Sequence, residues 1–159
     1  MIATATPQSK APRSVLFMCG MNAIRSPMAE ALARVALPKG TYVASAGVRQ
    51  GERDPFVDVV LEEVGLTIGR HQPRTLEELE DDYFDLIVTL APEAHHMALE
   101  LTRSMAVDVV YWPTPDPTVA TGTREQIVAA YRAVRDHLAT LIASRLAVES
   151  PQKGSPPAA

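Results

Sequence analysis

The 159-residue chain has a single cysteine, Cys19. It therefore cannot close an internal disulfide, assemble a thiolate zinc site or pass oxidation along internal thiols. Aromatic residues amount to only 5%, which predicts no large sticky patch and a monomer. No apolar run approaches the roughly 20 residues of a membrane span, and the opening MIATATPQSKAPR offers no core for a signal peptide. A cytoplasmic protein with no membrane partner is expected. Positive charge is scarce too. A net charge of -4 gives no long-range attraction for phosphate backbones, so nucleic acid is excluded as a partner.

What remains is the composition of an ordinary globular domain, 47% hydrophobic and 21% charged, long enough to bury one core. Residues 1–13 and 149–159 lack periodicity and read as disordered tails around a domain over 14–148. Val15 to Cys19 is a short apolar run, as expected of a strand buried on both faces of a parallel sheet. Ser26-Pro27 reads as a helix start, with Ser26 as N-cap and Glu30 in the first turn. Met28, Leu32 and Val35 form that helix's packed face, and Pro38 and Gly40 end it. Strands are predicted over Thr41–Ala46, Phe84–Leu90 and Val107–Trp112, and helices over Pro55–Val64 and Pro92–Leu101. Thr75 with Glu78 makes a capping box for a short helix to Asp82. A long helix over Thr123–Val148 carries Ile127, Tyr131, Val134, Leu138, Leu141 and Ile142 on one face. Alternation of strand and helix predicts an α/β fold, a three-layer sandwich around a four-stranded parallel sheet. Ligands of such folds bind beyond the carboxyl ends of the strands.

Cys19 ends the first strand and Arg25 stands at the far end of the loop that leads into the next helix, with five residues between them. A loop of this length can aim the backbone N–H groups of Gly20, Met21, Asn22, Ala23, Ile24, Arg25 and Ser26 at one point, a site suited to phosphate. Arg25 can add a planar fork of two parallel hydrogen bonds. The same donors favour a thiolate at Cys19, a ready nucleophile. A proton donor is also needed, and two Asp-Pro pairs, Asp54-Pro55 and Asp116-Pro117, compete for that role. The pair His95 and His96 suggests a metal, but neighbours on a helix point about a hundred degrees apart and no nearby Cys completes a site, so both read as surface residues.

The segment VLFMCGMNAIRSPMAEAL resembles the signature of the low-molecular-weight protein tyrosine phosphatases, C-x5-R-S after a hydrophobic strand. SAG at Ser45–Gly47, His71 and Arg74 in RHQPR, FDLIVTL and WPTPDP extend the resemblance in the family's order. It implies the family's phosphotyrosine protein phosphatase I-like fold, with Cys19 as nucleophile, Arg25 as phosphate clamp and Asp116 as general acid. Ser26 would support the thiolate, and Asn22 and His71 would hold the loop by hydrogen bonds. The implied activity is a phosphoric monoester hydrolase acting through phosphocysteine on a phosphorylated protein or small phosphate ester, with phosphotyrosine protein or a small aryl phosphate as the expected substrate. No metal or organic cofactor is required.

Several departures bear on the substrate. Gly20 and Met21 stand where the family usually has an apolar residue and then Gly, and Ile24 where many members carry a second cysteine. Thr118 and Val119 follow Asp116-Pro117 in place of the usual aromatics, and Ala91 replaces a frequent Asp after VTL. VRQGERD contains no aromatic either, so the walls that grip an aryl group are thin. Two alternatives to phosphatase action stay open: arsenate reduction completed by an external thiol, and a phosphate-binding module without turnover.

Overall fold

A computed structural model describes residues 12–80 and 83–147. Four strands, β1 (Ser14–Cys19), β2 (Tyr42–Gly47), β3 (Leu86–Thr89) and β4 (Asp108–Tyr111), form one parallel sheet in the order β2-β1-β3-β4. Four α-helices accompany them: α1 (Arg25–Ala36), α2 (Pro55–Glu62), α3 (Pro92–Leu101) and α4 (Arg124–Leu141). A π-helical turn over Ile142–Leu146 continues α4, so the long helix foreseen to Val148 changes its winding earlier. The predicted tails lie outside the described residues, apart from Pro12 and Arg13. The backbone of Arg13 already belongs to the fold, since its N–H donates to Asp85 Oδ2 at 2.8 Å and its carbonyl accepts from Tyr42 N at 2.9 Å.

The apolar run of β1 is continuous because both faces of the sheet are covered. Val15, Phe17 and Cys19 face a core built with Met28, Val57, Leu61 and Leu138, whereas Leu16 and Met18 face Phe84, Ile87, Ala94 and Ala98. Helices α1, α2 and α4 thus cover one face and α3 the other, making three layers. Arg135, buried on α4, ties the first layer together by donating to the Val60 carbonyl at 2.7 Å and to Glu63 Oε1 at 2.8 Å. The first of these bonds satisfies a carbonyl left open in the last turn of α2. Gly65, at φ 77°, then reverses the chain, as Leu66 N returns to the Leu61 carbonyl at 2.9 Å.

Three local expectations need correction. Ser26 is not the N-cap of α1: Ile24 holds that position without a side-chain cap, and Ser26 is a buried residue of the first turn. Its hydroxyl is drawn inward, as described below, and Glu30 consequently falls beyond the first turn. Val35 is 66% exposed and Leu37 buried, because α1 ends at Ala36 and the chain turns its next apolar side chain back to the core. The helix from Thr75 is a single turn. Its capping box forms, Thr75 N to Glu78 Oε1 at 2.9 Å and Glu78 N to Thr75 Oγ1 at 3.3 Å. However, Gly47 N bonds the Arg74 carbonyl at 2.8 Å and Leu76 N the Gly47 carbonyl at 3.1 Å, holding residues 74–76 extended beside the end of β2. Leu76 and Leu79 pack on the second core, and the acidic residues after them supply no further apolar spacing. Asp81 and Asp82 lie outside the described residues.

Candidate active site

Strand order reverses between β1 and β3, where a crevice opens at the carboxyl ends of parallel strands. Cys19 stands at that point, buried at the end of β1. The loop that follows carries Asn22 at φ 56°, a left-handed conformation that Asn tolerates better than most residues. The loop lies directly on Gly47: a Cβ there would come within 2.7 Å of Asn22 N and 2.8 Å of the Met21 carbonyl carbon. Only glycine fits at the end of β2.

A chain of hydrogen bonds fixes the loop from below. Arg74 N–H donates to Asn22 Oδ1 at 2.9 Å, which orients the amide, because a backbone N–H can only donate. Asn22 Nδ2 then donates to Ser26 Oγ and to Ser45 Oγ, both at 2.9 Å. Having accepted that bond, the Ser26 hydroxyl is free to direct its hydrogen to Cys19 Sγ, 3.0 Å away, the Ala46 carbonyl being farther at 3.5 Å. Ser45 in turn donates to Glu30 Oε1 at 2.6 Å, and Arg34 pairs with the other oxygen of Glu30. His71 Nε2 lies 3.4 Å from the Asn22 carbonyl. Burial lowers the His71 pKa despite the pull of Glu30, so at neutral pH the ring is uncharged. An acceptor-only carbonyl then selects the tautomer with hydrogen on Nε2.

The second half of the site comes from the segment after β4. Trp112 N bonds the Thr89 carbonyl at 2.8 Å and Thr114 N the Leu90 carbonyl at 3.1 Å, holding this segment against β3. Arg25 Nη1 donates to the Thr114 carbonyl at 3.0 Å, so Arg25 is anchored to the segment that presents Asp116. Asp116 Oδ1 accepts from Thr118 N at 2.9 Å and from Thr118 Oγ1 at 2.7 Å, leaving Oδ2 without a protein partner among the described residues. Burial of the Asp116 carboxyl works upward on its pKa, but the two Thr118 bonds and the Arg25 charge outweigh it and the net shift is downward. Asp54, the rival acid, has both oxygens engaged. Oδ1 caps α2 by accepting from Phe56 N at 2.9 Å, and Oδ2 accepts from the Tyr131 hydroxyl at 2.6 Å.

The structure thus brings Cys19, Arg25, Ser26, Asn22, His71 and Asp116 to one end of the sheet. A model of the family described as low molecular weight phosphotyrosine protein phosphatase matches residues 14–146. The chain belongs to that family. It is 30% identical to an arsenate reductase of Halalkalibacterium halodurans over 124 residues, 78% of this chain and 88% of that one. Among solved structures it resembles the YwlE arginine phosphatase of Geobacillus stearothermophilus, with a TM-score of 0.72 and 27% identity over 91% of this chain and 97% of the other. The tyrosine phosphatase Wzb of Escherichia coli K30, solved with sulphate, shares the fold at a TM-score of 0.69 and 21% identity, over 87% of this chain and 99% of that one.

A charged pair stands at the rim of the site. A Cβ on Gly20 would meet Glu93 Oε2 at 3.1 Å, and Glu93 forms an ion pair with Arg49 Nη2 at 2.7 Å. This pair therefore occupies the space beside Gly20, the residue after Cys19. Sequence reasoning did not single out this pair, because Arg49 and Glu93 are 44 positions apart. Glu30 and Thr118 were also missed as site residues. A buried carboxylate two turns into a helix and a hydroxyl two residues after an Asp carry no distinctive spacing. His95, expected at the surface, is half-buried: its ring stacks on Tyr111 with centroids 4.7 Å apart, and Nδ1 lies 2.9 Å from Thr89 Oγ1.

Asn22 makes the densest set of contacts in the loop, and replacing it by Ala should cost about 2–4 kcal/mol. Buried partners lose their bonds and the left-handed backbone loses a tolerant residue. Thermal or urea unfolding of Asn22→Ala measures the loss.

Proposed function

We propose that this chain is a cysteine-dependent phosphoric monoester hydrolase that acts on a phosphorylated protein or a small phosphate ester through a phosphocysteine. The observation that carries the reading is the pairing of Cys19, under the Ser26 hydroxyl, with an acid-bearing segment tied to the same site through Arg25 and Thr114. In the first step the Cys19 thiolate attacks phosphorus and the phosphorus–oxygen ester bond breaks, while protonated Asp116 gives its proton to the leaving oxygen. Loop N–H groups and the Arg25 fork stabilise the equatorial oxygens. In the second step water attacks phosphorus, its proton returns to the Asp116 carboxylate, and the phosphorus–sulfur bond breaks to release inorganic phosphate and the thiolate. Neither step calls for a metal or an organic cofactor.

The charged rim at Arg49 and Glu93, with Thr118 and Val119 where aromatics are usual, supports substrates that make few demands for an aryl-gripping wall. Arsenate reduction is the second reading, favoured by the arsenate reductases among its relatives. With Cys19 as the sole cysteine, the cycle would require an external thiol. The deciding experiment is p-nitrophenyl phosphate hydrolysis at mildly acidic pH without metal, run beside thiol-dependent arsenate reduction. Hydrolysis dependent on reduced Cys19 is expected. Arsenate reduction with no ester hydrolysis would overturn the phosphatase reading.

Protonated Asp116 is needed in the first step, so a lowered pKa places the optimum on the acidic side and makes the rate fall as pH rises. Thr118→Val removes one of the bonds that holds the carboxylate ionised. The Asp116 pKa should therefore rise, because a donor that favours the ionised form is lost. The alkaline limb of the pH–rate profile for phenyl phosphate should accordingly move to higher pH. An unmoved limb would assign it to another group.

A further inference from the structure

Beside α1 and the segment over residues 67–74 lies a cavity of about 810 Å³ to which Cys19, Arg25 and Asp116 do not contribute. Its volume is that of a small-molecule site and far exceeds what one phosphate would occupy. Three arginines line it, Arg34, Arg70 and Arg74, against two carboxylates, Glu30 and Glu78. Glu30 is already paired with Arg34 and accepts from the Ser45 hydroxyl, and Glu78 Oε1 accepts from Thr75 N. Arg74 spends its Nε on the Ser45 carbonyl at 3.1 Å, keeping its terminal nitrogens available. Arg70 forms no bond with protein among the described residues. A surplus of guanidinium donors in a chain of net charge -4 marks a place where positive charge is concentrated against the overall balance.

The segment carrying these groups is held in place. Arg53 Nη1 donates to the Gly69 carbonyl at 2.7 Å and to the His71 carbonyl at 3.1 Å, and Gln50 Nε2 donates to the Pro73 carbonyl at 3.2 Å. The arginines are therefore offered from a pinned backbone, which lowers the ordering cost of binding. Ala31, Ile68 and Pro27 give the cavity an apolar wall. We propose that this cavity is a second anion site, separate from the phosphate loop, which takes a nucleotide-sized organic molecule bearing an oligophosphate, with Arg70 and Arg74 as its charge-recognising side chains. One wall of the cavity is also the frame of the catalytic loop, since Arg74 N and His71 hold Asn22.

ATP in metal-free buffer is the probe, titrated calorimetrically into full-length chain bearing Cys19→Ser, so that binding is read without turnover and independently of whether the chain hydrolyses esters. Saturable binding is expected, retained within about threefold on adding Arg25→Ala and weakened tenfold or more on adding Arg70→Glu, a loss of about 1.4 kcal/mol per decade. Arg70 is exposed and unpartnered, and circular dichroism melts check that its variant stays folded. Absence of saturable binding would overturn the proposal. So would binding that Arg25→Ala abolishes and Arg70→Glu leaves intact, because the ligand would then sit on the phosphate loop.

Discussion

Replacing Cys19 by Ser should abolish hydrolysis of an aryl phosphate, by about three orders of magnitude or more, while the chain still folds and still binds phosphate. The size of the effect follows from what the sulfur does and what it leaves behind. In the proposed mechanism the thiolate forms the covalent bond that divides a difficult displacement into two easier ones, and a serine hydroxyl at the same place would have no adjacent base to ionise it. Cys19 Sγ lies 3.0 Å from the Ser26 hydroxyl, and such a donor stabilises an anion without removing a proton from an alcohol. Phosphate binding survives, because it rests on the loop N–H groups and Arg25. Kinetics of the variant, with phosphate binding followed by calorimetry, test both halves. Turnover retained in Cys19→Ser would sink the phosphocysteine mechanism outright.

Asp116→Asn is the second large effect, and its size depends on the leaving group. General acid catalysis contributes roughly 10²–10⁴-fold, and that benefit is needed most when the departing alkoxide is basic. For phenyl phosphate, kcat should fall by about 10²-fold or more. For p-nitrophenyl phosphate, whose leaving phenoxide is stable without a proton, the fall should be much smaller. The amide keeps the shape of the side chain and can still accept from Thr118 through its oxygen, so the segment keeps its turn. Asp54→Asn is the contrasting variant. Asp54 caps α2 and receives the Tyr131 hydroxyl at 2.6 Å, so its replacement should be read mainly in stability, with little dependence on the leaving group. If Asp54→Asn produced the steep leaving-group dependence and Asp116→Asn did not, the roles assigned to the two acids would be reversed.

Much of this protein was determined by local sequence. The apolar runs at Val15–Cys19 and around Ile87, the Asp54-Pro55 and Pro92 helix starts, and the Thr123–Gln126 capping box each place an element through interactions within a few residues of one another. The Cys19–Arg25 loop belongs to the same class, because its length and its Asn at a left-handed position are properties of adjacent residues. Tertiary structure decided what depends on groups brought together from distant positions. Ser26 reads as an N-cap in isolation, yet it turns inward because Asn22, Cys19 and Ala46 converge on its hydroxyl. The capping box at Thr75 closes but cannot propagate, since Gly47, far away in sequence, claims the backbone on either side of it. Asp54 and Asp116 look alike as Asp-Pro pairs, and they are separated only by Tyr131, which packs across from α4 and occupies the one while Arg25 reaches toward the loop of the other. Short-range hydrogen bonds and periodicity are written in the order of residues. Which donor meets which acceptor across the sheet depends on β1 standing between β2 and β3, a choice no single segment encodes.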